Sequence, residues 1–302
     1  MKTSVVILNY KTYSKTISCI ESLISINDHI DRIIIIDNNS ENESLKHISE
    51  YLSDCQLEWK YYNSITDDST TFILHQNIHN SGYAKGNNIG IGIACAYSSD
   101  FILIMNNDIV VNKNAVNHLI DFYKSQKGVG CLGPLVKEGS GYDINFARKR
   151  LQWYDHFLLS GIMKKILPAK LFLRHHFISY QGIPNHAFEV DTISGSAMLF
   201  HSDVLRKIEG FDENTFLYYE EAIITEKLRE HNLKTWVVPQ STMIHEHAGS
   251  TKMVASSKIL KHSLNSQYYY LNSIRKYNPI LSHTLMIGQY LTFLLIKIRG
   301  LF

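Results

Sequence analysis

Residues 101–111 read FILIMNNDIVV, an apolar run that breaks into two asparagines and an aspartate before it turns apolar again. Such a run predicts a buried strand. The carboxylate of Asp108 then lies at the tip of that strand, where it needs a hydrogen-bond partner, a metal ion or water, because burying an unpaired charge is costly. The stretch therefore predicts both a sheet and a functional group at its edge.

Other segments of the first half have the same character. Short apolar runs lie at 4–8, 32–37 and 71–74, and helix-like stretches lie at 13–26, at 43–52 and from about Tyr83 onward. Continuous apolar strands that alternate with helices are typical of a mostly parallel sheet with helices on both faces. We predict a Rossmann-like nucleotide-binding α/β unit.

The second half has a different pattern. Helices are predicted at 115–126 and 220–231, and strands at 197–200 and 235–238, with a strand and turn at KGVGCLGPLV. No repeat or proline-rich linker marks a boundary. We predict a catalytic domain over 1–255, divided into a nucleotide-binding half (1–108) and an acceptor-side half (109–255), and a C-terminal helical segment over 256–302.

The composition is that of an ordinary globular protein, with 45% hydrophobic and 19% charged residues among 302, which excludes the disordered and fibrous classes. The net charge is only +2, but residues 252–302 contain seven Lys or Arg and no acid. Residues 146–176 contain seven Lys or Arg and one acid, and their apolar side chains suggest amphipathic helices. This asymmetry indicates an anionic partner.

The cysteines and the apolar runs of the sequence indicate the cellular compartment of the protein. The four cysteines are well separated and form no CxxC pair, which favours reduced core thiols in the cytoplasm. The apolar run that precedes Asn9 has only four residues, too few for a secretory signal. We also expect no membrane-spanning helix, because no run reaches about 18 to 20 apolar residues.

Polar residues follow three of the predicted strands: Asn9 and Tyr10, then Asp37, then Asn106, Asn107 and Asp108. Carboxyl ends of parallel strands share one sheet edge, where α/β proteins bind ligands. A carboxylate there can hold Mg²⁺ or Mn²⁺, which in turn binds phosphate oxygens. The alternatives are helix caps, Asp37 for the helix at 43 and Asp108 for the helix at 115.

The glycine-rich stretch NSGYAKGNNIGIGIA follows the third predicted strand. A dinucleotide fingerprint would follow the first, so a nicotinamide cofactor is disfavoured. Gly82, Gly86 and Gly90 recur every four residues, which predicts a closely packed helix face. Alternatively, Asn80 and Gly82 open a helix whose N-terminal amides suit a diphosphate.

Two further pairs of residues have side chains that can take part in catalysis or metal binding. Glu220 and Glu221 follow a run of aromatic residues, where one glutamate with a raised pKa could act as a general base; the alternative is an acid-rich helix N-terminus. His245 and His247 lie two residues apart in a predicted strand and so face the same way. Either could complete a metal site, or both could be ordinary hydrogen-bonded histidines.

Seven segments in order resemble the family 2 glycosyltransferases, in particular their rhamnosyltransferase-like bacterial branch: VVILNY, IIDNNS, NSGYAKGNNIGI, ILIMNNDIVV, ISGSAMLFHSDVLRKIEGFDE, FLYYEE and HEHAGST. The resemblance runs from Ser4 to Tyr277. It implies a GT-A fold and an inverting transfer of a sugar from a UDP- or dTDP-linked donor. The implied acceptor is a glycan or lipid-linked oligosaccharide in bacterial surface polysaccharide synthesis.

The resemblance also implies roles for individual residues. Nucleotide and donor binding falls to Asn9, Tyr10, Asp37, Asn80, Gly82, Lys85, Asn106, Asn107, Gly195 and Ser196. Asp108 matches the last acid of the DxD motif, with Asn106 in place of the first acid. Glu221, preceded by Glu220, matches the catalytic base, usually an aspartate. Three residues depart from the family pattern: Ile223 replaces an acid, and Lys227 and His201 replace arginines.

Two alternatives remain at this point. Ile223 and Lys227 would suit a degenerate binding subunit, and a metal aspartate would suit a nucleotidyltransferase, although NYKTYSKT lacks that class's glycine-rich loop. No nucleic-acid partner is expected. The tail LMIGQYLTFLLIKIRGLF at 285–302 is judged too short and interrupted to span a bilayer. It predicts peripheral binding to the anionic inner face of the plasma membrane, or else a core helix or homodimer interface.

Overall fold

The computed structural model describes residues 1–26, 28–63, 70–138, 141–142, 147–158, 183–246 and 257–299. Its strands are β1 (Thr3–Asn9), β2 (Arg32–Asp37), β3 (Trp59–Tyr61), β4 (Phe72–Gln76), β5 (Phe101–Asn106), β6 (Ile109–Val111), β7 (Val129–Glu138), β8 (Gly141–Tyr142), β9 (Ala147–Arg148), β10 (Phe188–Val190), β11 (Thr192–Ile193), β12 (Ala197–His201) and β13 (Lys234–His245). Its helices are α1 (Tyr13–Ser25), α2 (Ser44–Asp54), α3 (Gly82–Ala96), α4 (Ala115–Ser125), α5 (Trp153–Leu158), α6 (Ser202–Lys207), α7 (Glu220–Glu230), α8 (Ser257–Tyr269) and α9 (Pro279–Arg299).

One large sheet organises the chain in the order β10-β13-β7-β12-β5-β1-β2-β4-β3. Strands β5, β1, β2, β4 and β3 are parallel, as predicted. Strand β12 is antiparallel to both β5 and β7, so the second half of the sheet is mixed. The predicted fold, a mostly parallel sheet with helices on both faces and a helical C-terminus, is confirmed.

The parallel strands form the centre of the core. Ile34, Ile35 and Ile36 of β2 are fully buried, as are Val5, Val6 and Ile7 of β1 and the apolar residues of β5, which explains why these runs do not alternate with polar residues. The predicted packing face of α3 is also confirmed. A Cβ at Gly86 would lie 2.6 Å from the Leu8 side chain, and one at Gly90 would lie 2.3 Å from Val6.

Several details differ from the sequence-based expectation. The short edge strand β3 was not predicted, because three residues give no periodic signal. KGVGCLGPLV continues as a single strand through Pro134 rather than ending in a turn. The thiols are all free, as predicted, but Cys55 is exposed and so is not a core residue.

The C-terminal helices pack against α7. A second apolar cluster joins Ile223 of α7 to residues of α8, of α9 and of the turn between them: Leu264, Tyr270, Leu271, Leu285 and Met286. A π-helical turn, Tyr270–Ile274, links α8 to the approach of α9. Ile223 therefore fixes the C-terminal segment to the helix that begins with the two glutamates.

The prediction from the sequence that the C-terminal tail is too short and interrupted to span a bilayer is wrong for α9 by length and composition. The apolar tail is one continuous helix of 21 residues, about 31 Å long at roughly 1.5 Å per residue. Residues 279–298 are long and apolar enough to cross a bilayer by length and composition, and only 22% of the apolar stretch is buried. The sequence-based estimate failed because His283, Gly288 and Gln289 interrupt the run without ending the helix. Of the basic stretch 146–176, the part from 159 onward lies outside the described residues.

Candidate functional site

The polar strand ends meet at one edge of the sheet. Asn9 of β1 is paired with Asp37 of β2, and Leu8 is paired with Asn106 of β5. On the other side of β5, the amide of Asn106 donates to the carbonyl of Ser196 at 2.9 Å. The edge therefore brings together residues from the first third of the chain and the turn that precedes β12.

Asp37 is buried at this edge and fixes the residues around it by hydrogen bonds. Its carboxylate is 1% exposed and accepts hydrogen bonds from the Asn9 amide at 2.6 Å and from the backbone and hydroxyl of Ser40. It caps no helix, because the residue before α2 is Glu43. Since its oxygens already have donors, Asp37 holds Asn9 and the following loop in place.

Asn38 is a residue that the sequence analysis did not select. Its side-chain oxygen accepts from Asn77 at 3.0 Å and from the amide of Ser81 at 3.1 Å. Its amide group donates to the side chain of Asn80 at 3.0 Å and to the carbonyl of Gly82 at 3.1 Å. Asn38 thus joins the end of β2 to the start of α3.

The first amides of α3 are already used by the protein. The amide of Gly82 donates to Asn80, and the amide of Tyr83 donates to the carbonyl of Phe216 at 2.9 Å. The sequence suggested that these amides could bind a diphosphate, but in the structure they already donate to acceptors of the protein. Gly82 has a φ of +84°, and an added Cβ would lie 2.4 Å from the Phe216 oxygen, so glycine is required here.

Asn107 connects β5 to the first helix. Its amide group donates to the hydroxyl of Thr12 at 2.7 Å and to the hydroxyl of Thr16 at 2.9 Å. It also lies 3.3 Å from the side-chain oxygen of Asn9. These contacts fix the NND turn, which sets the direction of the Asp108 side chain.

Asp108 and His245 meet at the candidate metal centre. His245 Nε2 lies 3.0 Å from Asp108 Oδ1, and Lys15 Nζ lies 3.5 Å from Asp108 Oδ2. The amide of Glu246 donates to the carbonyl of Asp108 at 2.9 Å. Asp108 does not cap α4, whose N-cap position is Asn114.

One carboxylate and one imidazole are a partial ligand set for a divalent cation. No group of three His, Cys, Asp or Glu side chains that could hold a metal occurs in the part of the chain that the structure describes, and His247 lies outside that part. Such a site fits a cation that takes its remaining ligands from phosphate oxygens and water. Imidazole nitrogen together with carboxylate suits Mn²⁺ better than Mg²⁺.

Glu221 lies against Gly195, in the turn before β12. The amide of Gly195 donates to Glu221 Oε1 at 3.2 Å, and the hydroxyl of Tyr83 donates to the Gly195 carbonyl at 2.7 Å. Burial and the nearby carboxylates of Glu221 and Glu220 raise the pKa of Tyr83 well above 10.0, so the phenol keeps its proton. Gly195, Tyr83 and Glu221 form one hydrogen-bonded unit from three elements.

Glu220 differs from Glu221 in its surroundings. Its side chain is 5% exposed, and its Oε1 has no hydrogen-bond partner among the described residues. Burial, and secondarily the charge of Glu221, raises the pKa of Glu220 to about 8. Glu220 therefore carries a proton at neutral pH, which leaves Glu221 as the better candidate for a base.

The two glutamates follow a strained segment. Tyr218 and Tyr219 both have a φ of +72°, in the left-handed region that side chains other than glycine rarely adopt, at a cost of about 1–3 kcal/mol each. The ring of Tyr219 packs against His156 and Tyr270. These contacts hold the turn that starts α7 at Glu220.

A cavity of about 390 Å³ opens among these elements. Its walls include predicted nucleotide-binding residues together with others: Leu8, Tyr10, Thr12, Asn38, Asn80, Gly82, Tyr83, Asn107, Phe216, Leu217, Lys258, Ile259 and His262. Lys85 is exposed and Asp37 is buried, and neither lines this cavity. Ser196 is buried, 3% exposed.

The departures from the family pattern have structural explanations. Ile223 is fully buried in the cluster with the C-terminal helices. Lys227 donates to the carbonyl of Gly210 at 2.9 Å, and burial lowers its pKa. His201 accepts from the amide of Asp203 at 3.2 Å and stacks on Tyr123. Each side chain supports the scaffold.

Comparison with known proteins gives a consistent result. The family model described as Glycosyl transferase family 2 matches residues 4–208. The low-salt glycan biosynthesis hexosyltransferase Agl10 of Haloferax volcanii is 24% identical over 251 residues, which cover 81% of this chain and 76% of that protein. The N-acetylglucosaminyl-diphospho-decaprenol L-rhamnosyltransferase of Mycobacterium tuberculosis is 25% identical over 179 residues, which cover 57% of this chain and 55% of that protein.

A solved structure shares the fold. The crystal structure of GalNAc-T7 with UDP, GalNAc and Mn²⁺ superposes with a TM-score of 0.63 over 90% of this chain and 50% of that chain, at 17% identity. At this identity the likeness establishes the GT-A architecture alone.

Proposed function

The chain belongs to glycosyl transferase family 2, and on that premise we propose that it is an inverting, metal-dependent enzyme of surface polysaccharide synthesis. The donor is a sugar on a nucleoside diphosphate, UDP or dTDP, and the acceptor is a glycan or a lipid-linked oligosaccharide. The observation that supports this best is the pair Asp108 and His245, 3.0 Å apart, in a site that also holds Glu221 against Gly195, in the turn next to β5.

The donor's position follows from the cavity. Tyr10 offers an aromatic face to a nucleoside, and Asn80 and Asn107 offer polar side chains. Asn38 lines the same cavity, but its side-chain amide holds the loop before α3. In this proposal Asn9 and Asp37 act indirectly, because the hydrogen bond between them fixes the loops that form the wall of the cavity. Lys85 is exposed and does not line this cavity, so donor binding by Lys85 stays a prediction from the resemblance.

Asp108 and His245 would hold Mn²⁺ or Mg²⁺, which supplies positive charge to the departing diphosphate. The relatives support this in part, since the GalNAc-T7 crystal structure contains UDP and Mn²⁺. Lys15, 3.5 Å from Asp108, adds a second positive charge at the same place. Its ammonium group would reduce repulsion between the carboxylate and phosphate oxygens.

Glu221 acts as the general base. Its carboxylate takes the proton of an acceptor hydroxyl, the acceptor oxygen forms a bond to the anomeric carbon, and the bond from that carbon to the diphosphate breaks. The attack comes from the face opposite the leaving group, so the configuration inverts. The amide of Gly195 orients the carboxylate, and Tyr83 orients Gly195.

The acceptor proposal takes support from a relative and from α9. The mycobacterial relative is named for transfer to a diphospho-decaprenol acceptor. Large apolar side chains of α9 are exposed along one face, namely Ile280, Ile287, Leu291, Leu294, Leu295 and Ile298. Together with the cationic residues at 252–302, this face suits the anionic inner surface of a membrane. We therefore place the enzyme at the cytoplasmic face, where a lipid-linked acceptor is accessible, with a homodimer through the same face as the alternative.

The test is a transfer assay with candidate nucleotide sugars and a lipid-diphosphate saccharide. Transfer with inversion that requires a divalent cation would support the proposal. Donor binding with neither transfer nor hydrolysis would favour the degenerate binding subunit. Ile223 and Lys227 motivated that alternative. Ile223 packs against the C-terminal helices, and Lys227 donates to the carbonyl of Gly210, so both residues have structural roles.

A further inference from the structure

Helix α8 forms one wall of the donor cavity. Lys258, Ile259 and His262 line it, although they follow the last strand and belong to the segment predicted as a separate appendage. The family model ends at residue 208. No motif in the sequence connects these residues with the nucleotide.

Three contacts fix α8 along the loop 212–217. The ring of His262 stacks on Phe216 with 4.2 Å between the centroids and 22° between the planes. The hydroxyl of Ser266 donates to the carbonyl of Leu217 at 2.9 Å. The hydroxyl of Tyr269 donates to Asp212 at 2.9 Å. The helix is therefore held in register from His262 to Tyr269, over about two turns.

The same loop is fixed to the other side of the cavity. The carbonyl of Phe216 accepts from the amide of Tyr83 at 2.9 Å, and it occupies the space that a side chain at Gly82 would need. Phe216 thus contacts α8 with its ring and α3 with its backbone. The two helices enclose the cavity from opposite sides.

Lys258 differs from the other lining residues in its charge. The remaining polar walls are neutral amides, hydroxyls and the His262 ring. Burial and the adjacent Lys258 and Lys261 lower the pKa of His262, which keeps the stacked ring neutral at neutral pH. Among the described residues no carboxylate forms an ion pair with Lys258. A lysine ammonium group is a compact phosphate-binding charge.

We propose that α8 is part of the donor site and that Lys258 binds a phosphate of the nucleoside diphosphate, held in place by the His262–Phe216 stack. The inference rests on the proposed function, because it assumes that the cavity takes a nucleoside diphosphate. It adds a binding residue from a helix that lies outside the residues matched by the family model.

The test compares Lys258→Ala with Lys261→Ala by titration calorimetry. Lys261 is exposed on the same helix and does not line the cavity, so it controls for loss of one charge. UDP, dTDP and GDP are titrated into the wild type with Mn²⁺, and the tightest binder is used with both variants, beside its nucleoside. Thermal melting checks that each variant is folded.

We expect Lys258→Ala to weaken diphosphate binding by roughly tenfold or more, the usual effect of a charge-assisted hydrogen bond. Nucleoside binding should not change, and Lys261→Ala should stay within about twofold of the wild type. Equal affinity in Lys258→Ala, equal losses in both variants, or an equal loss for the nucleoside would overturn the inference alone. If the wild type binds none of the three diphosphates, the proposed function fails as well.

Discussion

His245 and Asp108 are 137 residues apart in the sequence, yet His245 Nε2 lies 3.0 Å from Asp108 Oδ1. The antiparallel pairing of β13 with β6 produces this contact, since His245 is in register with Ile109, the residue after Asp108. The long strand β13 also runs parallel to β7. The candidate metal ligands are therefore positioned by the sheet itself, on a rigid edge.

Replacing Glu221 by glutamine should leave donor binding intact and reduce transfer by roughly two to four orders of magnitude, the usual share of a general base. Glutamine keeps the hydrogen bond from the Gly195 amide but cannot accept the proton. Calorimetry with the nucleoside diphosphate and a transfer assay separate the two effects. Glu220→Gln is the control, and a larger loss of transfer there would assign the base to Glu220.

Glu220 should make stability depend on pH. Its pKa is raised from 4.5 to about 8 in the folded protein, so the native state binds a proton that the unfolded state releases above about pH 4.5. The wild type therefore loses stability as pH rises from about 5 to 8. Glu220→Gln, which is always neutral, should gain stability over the wild type across that window.

Denaturant unfolding of wild type and Glu220→Gln at several pH values measures this difference. Below pH 4.5 the two proteins should differ by a constant amount, because Glu220 is then protonated in both the folded and unfolded states. A difference that stays constant from pH 5 to 8, or that narrows as pH rises, would show that Glu220 is ionised in the folded protein.

Gly82 and Gly92 give opposite predictions on the same helix. Gly82→Ala places a Cβ 2.4 Å from the Phe216 carbonyl at a φ of +84°, whereas Gly92 has open space around it. Gly82→Ala should destabilise the protein by a few kcal/mol and weaken donor binding. Gly92→Ala should stabilise it by about 0.5 to 1 kcal/mol through helix propensity. Denaturant unfolding measures both, and a neutral Gly82→Ala would mean that Phe216 does not press on α3.

Membrane binding should depend on the exposed face of α9. Deleting the tail is a poor test, since Leu285 and Met286 pack with Ile223. Leu294→Gln combined with Leu295→Gln changes only exposed side chains. We expect this double variant to lose sedimentation with vesicles containing anionic lipid, and wild-type binding to weaken as salt rises.

Ile24→Gln is a matched control for that measurement, because Ile24 is similarly exposed but lies on α1. Equal sedimentation of the double variant and the wild type would remove α9 from the membrane contact. A wild type that does not sediment with vesicles but is dimeric by light scattering, with the dimer lost in the double variant, would assign this face to a homodimer.

The sequence predicts the fold and the sheet edge well, because continuous apolar runs and polar strand ends are local signals. Asp108, which follows the five apolar residues 101–105 and two asparagines, and the acid pair at the start of α7 are visible in this way. Asn38 is not, since an asparagine after a strand is common in turns and its role depends on contacts with Asn77 and Gly82.

Other parts of the site depend on packing between distant segments. Lys258 reaches the cavity because α8 binds the loop 212–217, which no periodic pattern encodes. Lys85 was selected by its place in a motif; it is exposed and does not line the cavity, and its role in donor binding stays a prediction. The domain division at 255 stays a prediction, although the contacts of Ile223, His262 and Ser266 join the C-terminal segment to the remainder.

The most direct test of the account is calorimetric titration of the nucleoside diphosphate with and without Mn²⁺. Wild type should bind the diphosphate much more tightly with Mn²⁺. Asp108→Ala and His245→Ala should lose that enhancement while their melting temperatures show that they are folded. Asp121→Ala, an exposed carboxylate on α4, should behave as wild type. If Asp108→Ala retains the full Mn²⁺-dependent affinity, the metal is held elsewhere and the assignment of this site is wrong.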